Sequence, residues 1–428
     1  MIKIENVKAR QILDSRGNPT VEVDIILSDG VLGRASVPSG ASTGKYEAVE
    51  LRDNHTYYHG KSVNNAIDNI DNEIKNILLG RSPFEQYKID NDLISLDGTS
   101  NKSKLGANAI LGVSLAIAKA ASISMSQPLY KYIGGLSSNI LPVPLMNIIN
   151  GGAHANNLLD IQEFMIVPVN FERFSDALRA GTEIFHNLKK ILSDNKYSTS
   201  VGDEGGFAPE INDPSIALDL ISKSIEVSGY KVGEDIFFAL DAAASEFYKD
   251  KQYFLNHGDL SLNTEQLLDY WKILIDKYPI ISIEDPFDED DINGFSMFTN
   301  TFGNKVQIVG DDLFVTSEKK LIDGINQNAG NSILIKLNQV GTLTETLETI
   351  ETAKKHNFST IISHRSGETE DTFISDLCVG SNAGQIKTGS LSRSDRTSKY
   401  NQLLRIEEDL GEEAKFLGKE ILKIINKI

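Results

Sequence analysis

Six apolar runs in the second half of the chain each end on a residue that can do chemistry. Phe237-Phe238-Ala239-Leu240 leads to Asp241, Ile280-Ile281-Ser282-Ile283 to Glu284, and Val306-Gln307-Ile308-Val309-Gly310 to Asp311. Ile333-Leu334-Ile335-Lys336-Leu337 carries Lys336, Thr360-Ile361-Ile362-Ser363 leads to His364 and Arg365, and Gln385-Ile386 leads to Lys387. A lysine inside such a run can mark a strand end and snorkel to water. A buried lysine, by contrast, almost always has a partner. One charged ending carries little information; six in succession, three acidic and three cationic, describe a site.

Three carboxylates converging on one partly dry cleft cannot all stay ionised without a cation among them. Oxygen ligands alone, with no neighbouring cysteine or histidine pair, suit a hard ion such as Mg²⁺ completed by water and substrate. Beside that charge, the ammonium of Lys336 is disfavoured and its pKa is expected to fall toward neutrality, which makes a general base. His364, Arg365, Ser366 and Lys387 offer more positive charge and hydrogen bonding than one carboxylate needs, and Arg suits a phosphate. Glu163 and Glu204 remain as proton donors. Together these groups describe removal of a proton next to a carboxylate with loss of a β-leaving group.

The intervals between the six endings are 43, 27, 25, 28 and 23 residues. Helical patterns lie between them, as at Leu262 to Ile275 and Leu343 to Ala353, so the arithmetic is that of βα units. Parallel units of this kind close into a barrel whose C-terminal strand ends share one mouth, where active sites are built. Residues 1–135 have another grammar. Val21, Val23 and Ile25 alternate with Glu22 and Asp24, Asp29-Gly30 makes a turn, and Val31 to Val37 returns. Helical spacing follows over Val63 to Leu78, near Phe84 to Ser95, and over Leu105 to Ser124. The expected division is an α+β domain over 1–135 and an α/β barrel over 136–428, joined where Gly134, Gly135 and Pro142 cluster.

Three polar loops accompany the strands. Val37 to Gly44 is rich in small residues and suited to closing over a ligand. Asn150 to Asn157 contains His154 and leads to Gln162-Glu163-Phe164, and Val201 to Pro209 sets Asp203 and Glu204 among glycines. A net charge of −18 argues against nucleic acid or anionic membrane as a partner. The longest uncharged stretch, Leu105 to Ala118, is short for a membrane span, and the first residues lack an apolar signal core. The single cysteine, Cys378, fits a reducing compartment, and the expected location is the cytoplasm.

The strings VPSGASTG, GGAH, QEF, VGDEGGFAP, SIEDP, GDDL, LIKLNQVGT, SHRSGETEDTF and GQIKTGSLSRSD occur in the order and spacing of one family. Along essentially its whole length the chain resembles the enolases, of bacterial type. The resemblance implies a (β/α)8 barrel with an atypical ββαα start, and reversible dehydration of 2-phospho-D-glycerate to phosphoenolpyruvate. It implies two Mg²⁺ ions per site, one on Asp241, Glu284 and Asp311, and a second that arrives with substrate and involves Ser42. It implies Lys336 as the base, Glu204 supported by Glu163 as the acid, and His154, Gln162, His364, Arg365, Ser366 and Lys387 as substrate contacts. A homodimer or a larger assembly of dimers is implied, with Arg10, Glu22, Arg405 and Glu408 at the contact. Lys45-Tyr46 and the aromatic Asn54 to Lys61 depart from many relatives, at the lid and surface rather than the chemistry. The ending Asn426-Lys427-Ile428 lacks the terminal lysine that some relatives use to bind host proteins. Two other readings share much of this pattern. An acid dehydratase or racemase of the same superfamily would have no use for the SHRSGETED elements, and a scaffold or adhesion protein would tolerate loss of Lys336 or Glu204.

Overall fold

The computed structural model describes residues 2–40, 44–54 and 56–426. The chain opens with an antiparallel meander of β1 (Ile4–Leu13), β2 (Pro19–Leu27) and β3 (Leu32–Ser36). Alternation of Val21, Val23, Ile25 and Leu27 puts one face of β2 in the core, where all four are buried. Helices α1 (Gln86–Asp97) and α2 (Ala107–Ser124) follow, and α2 lies on the meander. Gly33 permits that contact, since a Cβ there would stand 2.3 Å from the backbone nitrogen of Ala120. The helical spacing of Val63 to Leu78 is also realised, with one π-helical turn at Ile70–Ile74 in its middle.

The uncharged stretch that looked too short for a membrane span belongs to a longer helix. Among the described residues, α2 is the one helix long and apolar enough to cross a bilayer, and 83% of it is buried inside the protein. Lys119 ended the uncharged run but not the helix, because its Nζ pairs with both oxygens of Asp371, at 2.7 and 2.8 Å.

Eight strands close the barrel: β4 (Val143–Asn150), β5 (Glu163–Pro168), β6 (Ile236–Asp241), β7 (Ile280–Glu284), β8 (Gln307–Gly310), β9 (Ser332–Ile335), β10 (Ser359–Ser363) and β11 (Gln385–Lys387). The ring runs β7-β8-β9-β10-β11-β4-β5-β6 and returns to β7. β5 is antiparallel to both neighbours. It is followed by α3 (Phe174–Asp194) and α4 (Pro214–Val227), which is the ββαα opening. Regular alternation then sets in with α5 (Thr264–Lys277), α6 (Ile292–Phe302), α7 (Glu318–Asn326), α8 (Leu343–Lys355), α9 (Phe373–Gly380) and α10 (Ser394–Leu410). The long interval between Asp241 and Glu284 holds a small antiparallel sheet over 248–262 ahead of α5.

Strand parity aims the functional side chains. Ala239, Val309 and Leu334 belong to the cluster that fills the barrel, whereas Ile308, Ile333 and Ile335 pack outward with the helices. Successive strand side chains alternate faces, so Asp241, Asp311 and Lys336, each two residues on, continue the inward row past the packed layer. Lys336 stands one residue beyond β9, not in the middle of a strand, and leads into a short helix, Leu337–Val340. Its side chain is 13% exposed, which leaves little room for snorkelling.

Candidate active site

The barrel mouth is crossed by one buried ammonium. Lys387 Nζ lies 3.0 Å from Asp241 Oδ2, 2.9 Å from Glu284 Oε2 and 3.0 Å from Glu163 Oε1. Burial alone would lower this lysine, but the three carboxylates hold it well above its ordinary range. Glu284 is pushed well above the usual carboxylate range, first by burial and then by the charge of Asp241. Gln162 Nε2 donates to Asp241 Oδ2 at 3.2 Å.

On one side of Lys387 stand Asp311 and Lys336, whose Oδ2 and Nζ are in direct contact. Gln339 Nε2 donates to Asp311 Oδ1 at 2.8 Å and Gln339 Oε1 accepts from Thr316 Oγ1 at 2.7 Å, so a second strand end fixes this carboxylate. Lys336 was expected to have a lowered pKa. Burial does act that way, but the charge of Asp311 outweighs it and the net direction is upward. The ion pair with Asp311 is what favours the ammonium form of Lys336.

On the other side stands Glu204. Asn147 Nδ2 donates to its Oε2 at 3.0 Å, and its Oε1 is 3.2 Å from His364 Nε2 and 3.6 Å from His154 Nδ1. The loop that carries Glu204 is thin by necessity. Gly205 has a φ of +85°, and a Cβ on Gly206 would stand 2.3 Å from Asn150 Oδ1. His154 Nδ1 is also 3.5 Å from Glu163 Oε1. Burial would raise Glu204, but the surrounding imidazoles and the Arg396 guanidinium hold it well below the usual carboxylate range. Glu163 goes the other way, raised by burial and then by the charge of Glu204. The two carboxyls of the expected acid pair, Glu204 and Glu163, are thus driven in opposite directions.

The outer side of the cleft is lined by cations and by segments of the N-terminal region. Arg365 Nη1 lies 2.9 Å from Glu47 Oε2 and donates to Asn338 Oδ1 at 2.9 Å. Ser39 and Gly367 exchange backbone hydrogen bonds, with N–H to O distances of 2.7 and 2.8 Å, which stitches the start of the small-residue loop to the barrel rim. Ser366 is buried against the same cleft. Ser42 lies outside the described residues.

Several buried polar atoms at this mouth have no hydrogen-bond partner among the described residues: His154 Nδ1, Gln162 Oε1, Glu163 Oε2 and His364 Nε2. Buried polar groups are normally satisfied, so four orphans facing one cleft mark a place where a polar ligand completes the set. A cation also fits. Asp241, Glu284 and Asp311 end three adjacent strands, are all buried and offer only oxygen. Two other groupings of acids or histidines have ligand atoms within 4.8 Å of one another, His154–Glu163–Glu204 and Asp285–Asp311–Asp312. In the first, Lys387 holds Glu163 and Asn147 holds Glu204, just as Lys387 holds Asp241 and Glu284 and Lys336 holds Asp311 in the trio. In the second, Asp285 is occupied by the backbone N–H groups of Asp311 and Asp312, at 2.9 and 2.8 Å.

All the predicted site residues within the described part of the chain line this cleft or touch a residue that does. Sequence reading missed Asn147, Glu47, Asn338, Gln339 and Arg396. The first four are neutral or exposed-looking residues whose roles depend on contacts across the fold. Arg396 directly follows the quoted GQIKTGSLSRSD string. Sequence comparison agrees with the architecture on both sides of the domain junction. Residues 4–133 match the enolase N-terminal domain, residues 138–425 match the enolase C-terminal TIM barrel domain, and the chain belongs to the enolase family.

Proposed function

We propose that this protein is a hydro-lyase that reversibly dehydrates 2-phospho-D-glycerate to phosphoenolpyruvate, with Mg²⁺ as its metal. The observation that carries the reading is the opposed pair of buried proton-transfer groups, Lys336 with Asp311 on one wall and Glu204 with Glu163 on the other, at one barrel mouth. A base and an acid on separate walls can act on two carbons of a small substrate. Arg365, Ser366 and the orphaned His364 Nε2 give the phosphate wall, and Lys387 brings positive charge to the carboxylate end.

In this scheme Asp241, Glu284 and Asp311 hold the cation, and Ser42 is proposed to assist a second one. A bound cation would supply positive charge for the anion that develops as the α-proton leaves, and Asp311, as one of its ligands, would hold Lys336 less tightly. Lys336, once it has released its own proton to solvent, takes the α-proton on a neutral Nζ. Glu204 Oε1 gives a proton to the departing hydroxyl, and Glu163 is the reservoir that reloads it. Glu163, Glu204, Asp241, Glu284, Asp311 and Lys387 are all buried, so their charges act at low dielectric.

Cytoplasmic location is proposed from the buried free thiol of Cys378, which burial pushes up and makes unreactive. A two-fold dimer is proposed from the resemblance to the enolases; the exposed Leu13 and Leu32 lie on opposite edge strands of the meander. Arg10 and Glu22 pair with each other within the chain, and since surface ion pairs are worth only about 0–1 kcal/mol, apolar contact would supply most of the association energy.

The deciding assay follows the absorbance of phosphoenolpyruvate formed from 2-phosphoglycerate by purified protein with Mg²⁺. Two variants assign the walls. Glu204→Gln should block dehydration while deuterium from solvent still replaces the α-hydrogen of recovered substrate. Lys336→Ala should lose both, by at least about 10²-fold. Normal exchange in Lys336→Ala, or normal dehydration in Glu204→Gln, would overturn the assignment.

A further inference from the structure

We infer that Arg396 is a positioning residue: it fixes His364 as the neutral tautomer protonated on Nε2, so that the ring offers an N–H to Glu204 and the cleft and cannot accept the proton Glu204 must deliver. The catalytic consequence rests on the proposed role of Glu204. The tautomer itself does not.

Arg396 is fully buried near the N-terminus of α10. Its Nη1 lies 2.5 Å from His364 Nδ1 and donates to the Arg365 carbonyl at 2.6 Å. Its Nη2 donates to the Ser366 carbonyl at 2.5 Å and to that of Asp203 at 3.3 Å, and its Nε is 2.8 Å from Asp395 Oδ2. The guanidinium is thus pinned between the loop after β10 and the glycine loop that carries Glu204, and it cannot swing away from the ring.

A guanidinium has five N–H donors, no acceptor, and does not lose its proton in a protein. The short contact therefore requires a lone pair on His364 Nδ1. A proton on Nδ1, whether in the other tautomer or in an imidazolium, would set two donors face to face. The remaining hydrogen must sit on Nε2, which is 3.2 Å from Glu204 Oε1 yet lacks an aligned partner, so its donor capacity is available to what enters the cleft.

The charged groups that bear on the ring are Glu204, Arg396 and Lys387. Burial pushes His364 down to about 3, Glu204 opposes this, and the two cations add to it, in accord with a ring that stays neutral. Held this way, Nε2–H stabilises the Glu204 anion left by proton delivery. In the opposite tautomer the Nε2 lone pair would compete with the departing hydroxyl for the proton.

The experiment reads the tautomer directly. Long-range ¹H–¹⁵N correlation on protein carrying ¹⁵N-histidine shows which ring nitrogen of His364 bears hydrogen, with its signals identified by their loss in His364→Gln. Wild type should show Nε2–H. Arg396→Gln presents a carbonyl that can accept from Nδ1–H, so His364 should shift toward that tautomer or titrate, and kcat should fall about 10²-fold with a changed pH profile. Arg396→Lys keeps a donor without an acceptor and should restore Nε2–H and part of kcat. A wild-type Nδ1–H or imidazolium signal overturns the inference, as does an unchanged tautomer in Arg396→Gln. If Arg396→Gln does not fold, the wild-type and Arg396→Lys spectra decide alone. Normal dehydration by Glu204→Gln alongside an Nε2–H signal would sink the acid assignment and leave the tautomer standing.

Discussion

Replacing Lys387 with methionine removes one ammonium from between three buried carboxylates, and the cost can be bounded. Contacts of 3.0, 2.9 and 3.0 Å each correspond to roughly 5 kcal/mol of gross attraction at an effective dielectric of about 20. Desolvation of the four groups and repulsion among the acids cancel most of that sum. Breaking a buried pair from one side typically costs about 3–5 kcal/mol, and that is the expected loss of unfolding free energy in Lys387→Met with chelator present. Proton uptake caps the loss, because Glu163 and Glu284 are already held above the ordinary carboxylate range. The sign follows from linkage. A carboxyl whose folded pKa is raised keeps full stability below its unfolded pKa and loses it as pH rises toward the folded value, so the penalty should grow from acid to neutral pH. Mg²⁺ should reverse much of it, by about 2.7 kcal/mol at a concentration a hundredfold above its dissociation constant. Urea unfolding of both proteins, with chelator and with Mg²⁺, at acid and neutral pH, measures every quantity. Equal stability of variant and wild type in chelator at neutral pH, or a Mg²⁺ effect absent from the variant, would refute the reasoning.

Three further outcomes are expected. Asp376 on α9 is buried and pushed up to about 6, chiefly by burial, so it penalises folding as pH rises from about 4 to about 6. Asp376→Asn should remove up to about 3 kcal/mol of that loss, and a variant no more stable than wild type at pH 8 than at pH 4, relative to the same comparison, would contradict this. Asp90 on α1 is fully buried and accepts from the N–H of Thr344 at 3.0 Å and its hydroxyl at 2.6 Å, capping α8 from the N-terminal region. Asp90→Ala should destabilise by about 1–2 kcal/mol in urea unfolding, the usual value of a lost cap. Chelation should abolish turnover and leave the circular dichroism of the fold intact, since the barrel core does not depend on the three carboxylates; wholesale loss of the signal would say otherwise.

The sequence by itself determined the repeating units and the row of strand ends, because both are local. An apolar run of four or five residues followed by a helix of about a dozen needs only neighbours in the chain, and parity within each strand carries Asp241, Asp311 and Lys336 inward. It could also identify the family, through strings whose glycines and charges lie close together in sequence. Charge state belonged to the tertiary structure. Asp311 holds Lys336 up, and Glu163 and Glu204 are driven in opposite directions, because each pKa is a sum over groups from several strands. Lys387 reads as the last of six endings in sequence, yet it lies at the centre of the carboxylates, since closure of the barrel brings β11 opposite β6 and β7. Arg396 directly follows the GQIKTGSLSRSD string, but nothing local gave its role. Its meaning is a contact with His364, 32 residues away in sequence, and only the folded chain brings those two side chains together.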